Sequence, residues 1–130
     1  MMEARYVSVE AALALHATVL NLTRGTLGVR DMNGLLGSLE RPKTAIGGVD
    51  MFPTLFTKAA AVIESVARNH PFIDGNKRTS YLIGTELLAI NGYNLTPEQG
   101  EIEKFVLWVV IEKPTIEEIA AWLEKNSKGI

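Results

Sequence analysis

Apolar residues recur every three or four positions along most of the chain, the spacing that places them on one face of an α-helix. The first such stretch begins after Ser8, whose hydroxyl suits a helix N-cap, and continues to about Leu22. A short second helix is predicted from Asp31, and Pro42 ends it because proline cannot continue helical hydrogen bonding. The pattern therefore predicts two N-terminal helices joined by a turn that contains Gly and Thr.

Two longer helices are predicted in the middle of the chain. The third opens at Pro53, a residue favoured in the first helical turn, and cannot run past His70, since a residue before proline avoids the helical region. The fourth runs from about Asn76 to Ile90 and stops at Asn91-Gly92, where glycine tolerates the left-handed closing conformation. The connector between these two helices is only a few residues long.

Capping signals mark the two C-terminal helices. Thr96-Pro97-Glu98-Gln99 combines a capping hydroxyl, a proline at the first helical position and a glutamine three residues after the cap. A fifth helix is therefore predicted to begin there and to end before Pro114. Thr115-Ile116-Glu117-Glu118 is a second capping box, with which the last helix begins.

One segment interrupts this helical pattern. Residues 43–52 contain a Gly-Gly pair between apolar or β-branched neighbours, which predicts a small hairpin, called the flap below. The flap could clamp a target peptide by edge-strand pairing at Ile46, Gly47 and Gly48, or it could be a plain connector; we favour the clamp. The expected fold is all-α, a compact bundle of about six helices with this β-hairpin flap, in a single domain over residues 1–130.

Composition supports one compact domain and excludes several kinds of site. Hydrophobic residues make up 47% of the chain and charged residues 22%, which are ordinary proportions for a globular protein. No cysteine is present, which excludes disulfides, thiolate zinc sites and thiol nucleophiles. A formal charge of −2 argues against general nucleic-acid binding. We expect neither a secretion signal nor a membrane span, and hence a cytoplasmic protein without membrane association.

Chemically active side chains gather in the connector between the third and fourth helices. Its nine residues from His70 to Arg78, called the 70–78 loop below, are His-Pro-Phe-Ile-Asp-Gly-Asn-Lys-Arg. A purely structural connector needs turn residues and little else, yet this one holds a histidine, a carboxylate, an amide and two cations. The loop is therefore the predicted active site.

The second half of the loop is suited to bind phosphate. Gly75 and Asn76 lead directly into a helix, whose first N–H groups have no partner within it and lie at its positive end. Lys77 and Arg78 add two positive charges, which would oppose the helix dipole unless an anion such as a polyphosphate were bound. Asp74 supplies the one carboxylate that Mg²⁺ often takes from protein, although such an aspartate alone is more often a helix cap.

The first half of the loop is suited to move a proton. His70 lies before the turn, and an imidazole there can remove the proton of an incoming hydroxyl at neutral pH. Phe72 is expected to point inward and anchor the loop. Arg68 could reach the phosphates or remain a solvated surface residue, and His16 is expected to be a core histidine and not a ligand. The set matches phosphoryl-type transfer, in which positioning, charge neutralisation and deprotonation dominate.

These residues also resemble a known family. HPFIDGNKRT, from His70 onward, is similar to the Fic/Doc signature H-P-F-x-[DE]-G-N-[GK]-R, and the lysine at position 77 is similar to the death-on-curing (Doc) toxin subgroup. Weaker similarity extends over nearly the whole chain, for example at residues 28–31 and 58–60. The resemblance implies a Fic-like helical fold, with His70 as the base, Asp74 as the magnesium ligand, and Asn76, Lys77 and Arg78 as phosphate-binding groups.

The resemblance further implies a target and a partner. Doc-type members are taken to transfer the γ-phosphate of ATP to a Ser or Thr hydroxyl of elongation factor Tu, which arrests translation. Such a type II toxin is restrained by a Phd-like antitoxin whose C-terminal segment folds into the active-site groove. AMP-transferring Fic enzymes have glycine in place of Lys77 and a second arginine in place of Tyr81, so both residues favour phosphate transfer. A nucleotidyltransferase and a non-catalytic peptide-binding module remain as alternatives.

Overall fold

Six α-helices, one β-hairpin and a second two-stranded antiparallel sheet make up the structure, a computed structural model in which residues 3–130 are described. None of the helices described combines the length and the apolar content that crossing a bilayer requires. The sequence predictions that involve Met1 and Met2 lie outside the described residues. The helices are α1 (Val9–Thr23), α2 (Met32–Glu40), α3 (Leu55–Asn69), α4 (Asn76–Ala89), α5 (Glu101–Ile111) and α6 (Ile116–Lys125). The strands are β1 (Ala45–Ile46), β2 (Val49–Asp50), β3 (Tyr93–Leu95) and β4 (Ser127–Gly129).

The core is centred on α3, which packs most extensively against α4 and next against α6. A Cβ added to Gly84 of α4 would lie 2.3 Å from the Ile63 side chain of α3, so glycine is needed for the two helices to lie this close. Several large apolar side chains of these three helices are fully buried: Ile63, Val66, Ile83, Leu88, Ile119 and Leu123. The structure thus confirms an all-α bundle. The 70–78 loop connects the C-terminus of α3 to the N-terminus of α4.

Several helix ends follow the capping signals of the sequence. Ser8, Asp31 and Thr115 each accept a hydrogen bond from a backbone N–H of the first turn of the helix they precede, as predicted. The second helix ends at Glu40, and a short 3₁₀ turn that contains Pro42 follows it. Local hydrogen bonding is sufficient to set these ends, which is why the sequence predicts them.

The ends of α3 differ slightly from the prediction. The helix begins at Leu55 instead of Pro53, with Thr54 as its N-cap. The Thr54 hydroxyl accepts from the Thr57 N–H and the Thr57 hydroxyl accepts from the Thr54 N–H, both at 3.0 Å. The stop before Pro71 is confirmed. His70 takes the left-handed conformation there, with a φ of 52°, instead of the extended one that proline usually imposes on its predecessor.

The predicted start of the fifth helix at residues 96–99 is wrong. The Thr96 N–H donates to the carbonyl of Asn126 at 2.7 Å and so continues the pairing of β3 with β4 instead of entering a helix. α5 begins at Glu101, after Gly100 has turned the chain with a φ of 91°. Pairing with a strand at the far end of the chain overrides the local capping pattern, and the sequence analysis did not predict this second two-stranded sheet.

The flap is a hairpin, as predicted. Ile46 of β1 pairs with Val49 of β2, and both side chains are mostly exposed, at 69% and 70% of their surface. Gly47 and Gly48 form the two-residue turn with φ values of 58° and 79°. A turn with two positive φ values matches the twist of the strands it joins and strongly favours glycine.

Candidate active site

The 70–78 loop joins α3 to α4 and forms one wall of a cavity of about 480 Å³. Side chains and backbone of α1 and of the turn after it form the facing wall, at Val19, Thr23 and Gly25. From the loop, the lining residues include His70, Asp74, Gly75, Asn76, Lys77 and Arg78. The structure therefore places the predicted base, the predicted magnesium ligand and the predicted phosphate-binding residues of the loop around one cavity.

Phe72 fixes the middle of the loop in the core. Its side chain is 1% exposed and stacks on the ring of His16, with centroids 3.9 Å apart. The Phe72 N–H donates to Oδ1 of Asn76 at 2.9 Å, and Nδ2 of Asn76 donates back to the Phe72 carbonyl at 2.9 Å. This confirms the inward anchor. Because the buried Asn76 amide closes the loop on itself, the backbone N–H of Asn76 is the group left for its predicted phosphate contact.

The segment from Gly28 to Asp31 holds the loop from outside. The Ile73 N–H donates to the Gly28 carbonyl at 3.0 Å, and the N–H groups of Arg30 and Asp31 both donate to the Pro71 carbonyl, at 2.8 and 3.0 Å. These bonds run on both sides of Phe72. The backbone of the loop is therefore paired on its outer side like a strand.

Arg30 is a structural residue of the site that sequence reasoning did not identify. Its Nε donates to the His70 carbonyl at 2.8 Å and its Nη2 to the Asn69 carbonyl at 2.9 Å, which satisfies two carbonyls at the C-terminus of α3. In the sequence, Arg30 is distinguished only as a member of the family-like stretch at residues 28–31. No local pattern could have assigned this role, since its partners lie about forty positions along the chain.

His70 keeps its side chain at the cavity while its backbone is fixed. Three non-glycine residues of the described chain have a positive φ, and His70 is the one that lies in the loop. Such conformations cost about 1–3 kcal/mol and persist where the surroundings enforce them, often at active sites. Arg30 and the adjacent Pro71 contacts provide that enforcement. The imidazole, which is exposed, remains free to meet an incoming hydroxyl.

Asp74 accepts two backbone hydrogen bonds and still presents an exposed carboxylate. Oδ1 accepts from the Gly75 N–H at 2.9 Å, and Oδ2 accepts from the Thr26 N–H at 3.3 Å. Each oxygen therefore retains acceptor capacity on the cavity side. Within residues 3–130 no three His, Asp or Glu side chains cluster as a metal cage. The donor set fits Mg²⁺ that takes one carboxylate from protein and its other ligands from phosphates and water.

The N-terminus of α4 lies at the cavity with two cations in its first turn. Within residues 3–130 no side chain caps this terminus, and Gly75 precedes it with a φ of 77° and a would-be Cβ 3.3 Å from Val19. Lys77 and Arg78 are exposed. Arg78 forms an ion pair with Glu103 of α5 at 3.2 Å, but both side chains are largely exposed and such pairs contribute little, about 0–1 kcal/mol. Both cations are therefore available to an anion.

Arg68 is not among the residues that line this cavity, unlike the other predicted phosphate-binding residues. Its guanidinium donates to the carbonyls of Val109 and Pro114 at 3.1 Å and pairs with Glu64 at 2.7 Å. These partners fix it between α3 and the end of α5. No local pattern indicates these contacts, because the two carbonyls lie more than forty positions downstream.

An apolar groove adjoins the cavity. It has a volume of about 510 Å³, shares Val19, Lys77 and Arg78 with the cavity, and continues between α4 and α5. Tyr81 lines it and is largely buried, with its ring edge-on to Phe105 at 6.1 Å. Burial raises the pKa of the Tyr81 phenol, so this position carries no charge at neutral pH. The cations of the site are therefore confined to the first turn of α4.

The flap does not contribute to the cavity wall. Ile46, Gly47 and Gly48 are exposed and are absent from its lining. The base of the flap is attached to α3 by the buried Lys58, whose Nζ donates to the Phe52 carbonyl and lies 3.6 Å from the Asp50 carboxylate. The structure thus shows the predicted clamp as an exposed hairpin.

Comparisons with known proteins give the site a context. The model of the Fic/DOC family matches residues 6–88, more than half of the chain and all of the 70–78 loop. A protein of Mycolicibacterium smegmatis (strain ATCC 700084 / mc(2)155) named Toxin Doc is 45% identical over 74 residues. That alignment covers 57% of this chain, and the chain spans 57% of the length of the relative.

Proposed function

Because the chain belongs to the Fic/DOC family, we propose that it is a Doc-type toxin of a type II toxin–antitoxin system. It transfers the γ-phosphate of ATP to a Ser or Thr hydroxyl of a translation factor of the elongation factor Tu type, and so arrests translation in the cytoplasm. One observation carries this proposal: His70, Asp74 and the uncapped start of α4 surround a single cavity. The similarity to a protein named Toxin Doc supports the toxin assignment.

His70 is the general base of the proposed reaction. Its exposed imidazole lines the cavity, and its backbone is held by Arg30, so the ring starts from a defined position. A neutral imidazole in this position can accept the proton of the attacking hydroxyl. As that proton moves to the imidazole, the hydroxyl oxygen forms its bond to phosphorus and the bond to the leaving ADP breaks.

The first turn of α4 holds the triphosphate. The N–H groups of Asn76 and Lys77 lie at the positive end of the helix, and the side chains of Lys77 and Arg78 add full charges beside them. Asp74 would hold Mg²⁺, which supplies charge neutralisation at the phosphate oxygens. Phosphates bound there would relieve the repulsion between the two cations and the helix dipole.

Two side chains favour transfer of phosphate over transfer of AMP. Lys77 places a flexible cation where an AMP-transferring Fic enzyme has glycine, and Tyr81 is buried and uncharged where such an enzyme has a second arginine. Both differences change which side chains of α4 can bind the oxygens of a triphosphate. Nucleotidyl transfer on the same loop is the second candidate, and it is favoured by the close agreement of residues 70–78 with the general Fic motif.

Two further surfaces suit the two protein partners. The exposed flap, with Ile46 and Val49 mostly uncovered, is the proposed clamp for the target segment. The apolar groove between α4 and α5 is the proposed seat of a Phd-like antitoxin, whose disordered C-terminal segment would fold on binding. An antitoxin in that groove would contact Arg78 and Lys77 and so block the phosphate site.

Labelled ATP distinguishes the candidate functions. The purified chain is incubated with a bacterial extract, Mg²⁺, and ATP labelled on either the α- or the γ-phosphate. Transfer of γ-label alone to a protein supports the proposal, transfer of α-label indicates a nucleotidyltransferase, and transfer of neither indicates a non-catalytic peptide-binding module. Expression in a bacterium should also arrest growth unless the neighbouring antitoxin is expressed, and harmless expression without it contradicts the toxin assignment.

A further inference from the structure

His16 is a buried titratable side chain that the proposed chemistry does not use. It lies on α1, is 1% exposed, and stacks on Phe72 with the two ring planes 15° apart. Its Nε2 atom lies 2.8 Å from the carbonyl oxygen of Asp74. The ring thus touches the loop twice, once at its aromatic anchor and once at the residue proposed to hold Mg²⁺.

The hydrogen bond fixes the tautomer of the ring. A carbonyl oxygen only accepts, so the Nε2 atom of His16 must carry the proton and donate it to Asp74. Within residues 3–130 no other group donates to that carbonyl. The orientation of the peptide group between Asp74 and Gly75 therefore depends on His16.

The orientation of that peptide group determines the position of both parts of the anion site, the Asp74 carboxylate and the first N–H groups of α4. On one side of it, the Asp74 carboxylate accepts the Gly75 N–H at 2.9 Å. On the other, Gly75 takes a φ of 77° and α4 begins with its unpaired N–H groups. A rotation of this peptide would move the carboxylate and the first N–H groups of α4 together. The imidazole of His16 acts on the site through the backbone, since His16 is not among the cavity-lining residues.

We propose that His16 is a positioning residue, which holds the Asp74 carbonyl so that the carboxylate of Asp74 and the start of α4 face the same phosphate. The proposal rests on the proposed function, because phosphate transfer is the activity that it serves. Groups that orient a metal ligand in this way typically change metal affinity or activity by about 10–100-fold when they are removed. The same scale is expected here.

Three substitutions separate positioning from packing. His16→Phe keeps an aromatic ring on Phe72 and removes the donor. His16→Gln places an amide N–H near the position of Nε2, and His16→Asn provides the same amide one methylene shorter. Gln and Asn bury the same polar group, so they form a matched pair that differs in reach. Each full-length variant is compared with wild type for Mg²⁺- and ATP-dependent transfer of label, for thermal unfolding, and for amide exchange at Gly75 by NMR.

Phe and Asn at position 16 are expected to lower kcat/KM for ATP by about 10–100-fold and to speed exchange of the Gly75 N–H. The His16→Gln variant is expected to keep most of the wild-type kcat/KM for ATP and most of the wild-type protection of the Gly75 N–H from exchange. The proposal would be overturned if the folded Phe or Asn variant transferred label and exchanged the Gly75 N–H at the wild-type rates. Equal impairment of the Gln and Asn variants would also overturn it. If wild type transfers no label, the proposed function fails. Exchange at Gly75 then decides the positioning role alone, with equal rates in the wild-type, Asn and Phe proteins overturning it.

Discussion

The 70–78 loop and the flap are both short connectors that contain left-handed glycines, but their surroundings differ. The loop is bound to α1, to Arg30 and to the carbonyl of Gly28, and its aromatic side chain is 1% exposed. The flap consists of two two-residue strands with Ile46 and Val49 about 70% exposed, and Lys58 attaches its base. The 70–78 loop is therefore fixed by the core, whereas the flap is attached at its base.

This difference matches the tasks that the two connectors have in the proposed reaction. Transfer of a phosphoryl group depends on placing the base and the charges before the substrate arrives, since little covalent chemistry is left for the protein. A peptide clamp has to accept a partner chain along its edge and tolerates some freedom before binding. The contrast suggests that substitutions in the loop will affect the reaction rate and the fold, whereas substitutions in the flap will affect recognition.

Loss of the base should give the largest effect. His70→Asn removes the imidazole, and asparagine tolerates the φ of 52° better than alanine, so the fold should be kept. We expect the rate of label transfer to fall about 10²–10⁴-fold, the usual contribution of a general base. Transfer is measured at saturating ATP, with thermal unfolding as the control. A folded variant with wild-type transfer would contradict the role of His70.

Loss of the loop anchor should be the next largest effect. Phe72→Ala empties a buried site and should lower the free energy of unfolding by about 3–5 kcal/mol. The matched change in the flap, Ile46→Ala, should stay within about 0.5 kcal/mol because that side chain is exposed. Urea denaturation of both variants measures the contrast. Equal losses of stability would mean that the two connectors are held alike.

Glycine substitutions should sharpen the same contrast at the backbone. Gly75→Ala combines a positive φ with a Cβ 3.3 Å from Val19, whereas Gly48→Ala has a positive φ and open space. The strain of a left-handed alanine is about 1–2 kcal/mol at either site. Gly75→Ala should exceed Gly48→Ala in unfolding measurements because Val19 must also move. A larger loss at Gly48 would show that the flap turn is packed more tightly than its surroundings indicate.

Changes at the tip of the flap should act on target binding alone. The double variant Ile46→Ser and Val49→Ser removes the two exposed apolar side chains, and we expect KM for the protein target to rise roughly tenfold, or about 1.4 kcal/mol. KM for ATP and the melting temperature should remain at their wild-type values. Titration of target and of ATP in the label-transfer assay separates the two constants. A parallel rise in both would remove the distinction between the two regions.

Sequence reasoning was most successful where the determining contacts are local. The caps at Ser8, Asp31 and Thr115 and the Gly-Gly turn of the flap depend on neighbours within four residues, and all are confirmed. The predicted start of the fifth helix at residues 96–99 is wrong because Thr96 pairs with the backbone near the C-terminus. A capping pattern contains no information about a strand thirty residues away.

The candidate site shows the same division. The residues of the 70–78 loop come together because they are consecutive, so the cavity-lining role of His70 and Asp74 could be anticipated from the chain alone. Arg68 could not be placed, because its partners belong to α5 and to Pro114. The supports from His16 and Arg30 also depend on contacts about forty or more positions apart, and only the fold reveals them.

The central claim is that the loop is organised before any ligand binds, and hydrogen exchange of the ligand-free wild-type chain tests it most directly. The Phe72 and Ile73 N–H groups, bonded to Asn76 and Gly28, should exchange at rates close to that of global unfolding. The Met51 N–H, bonded to the Thr44 carbonyl at the flap, should exchange much faster through local opening. Fast exchange at Phe72 and Ile73, equal to that at Met51, would contradict a preorganised site.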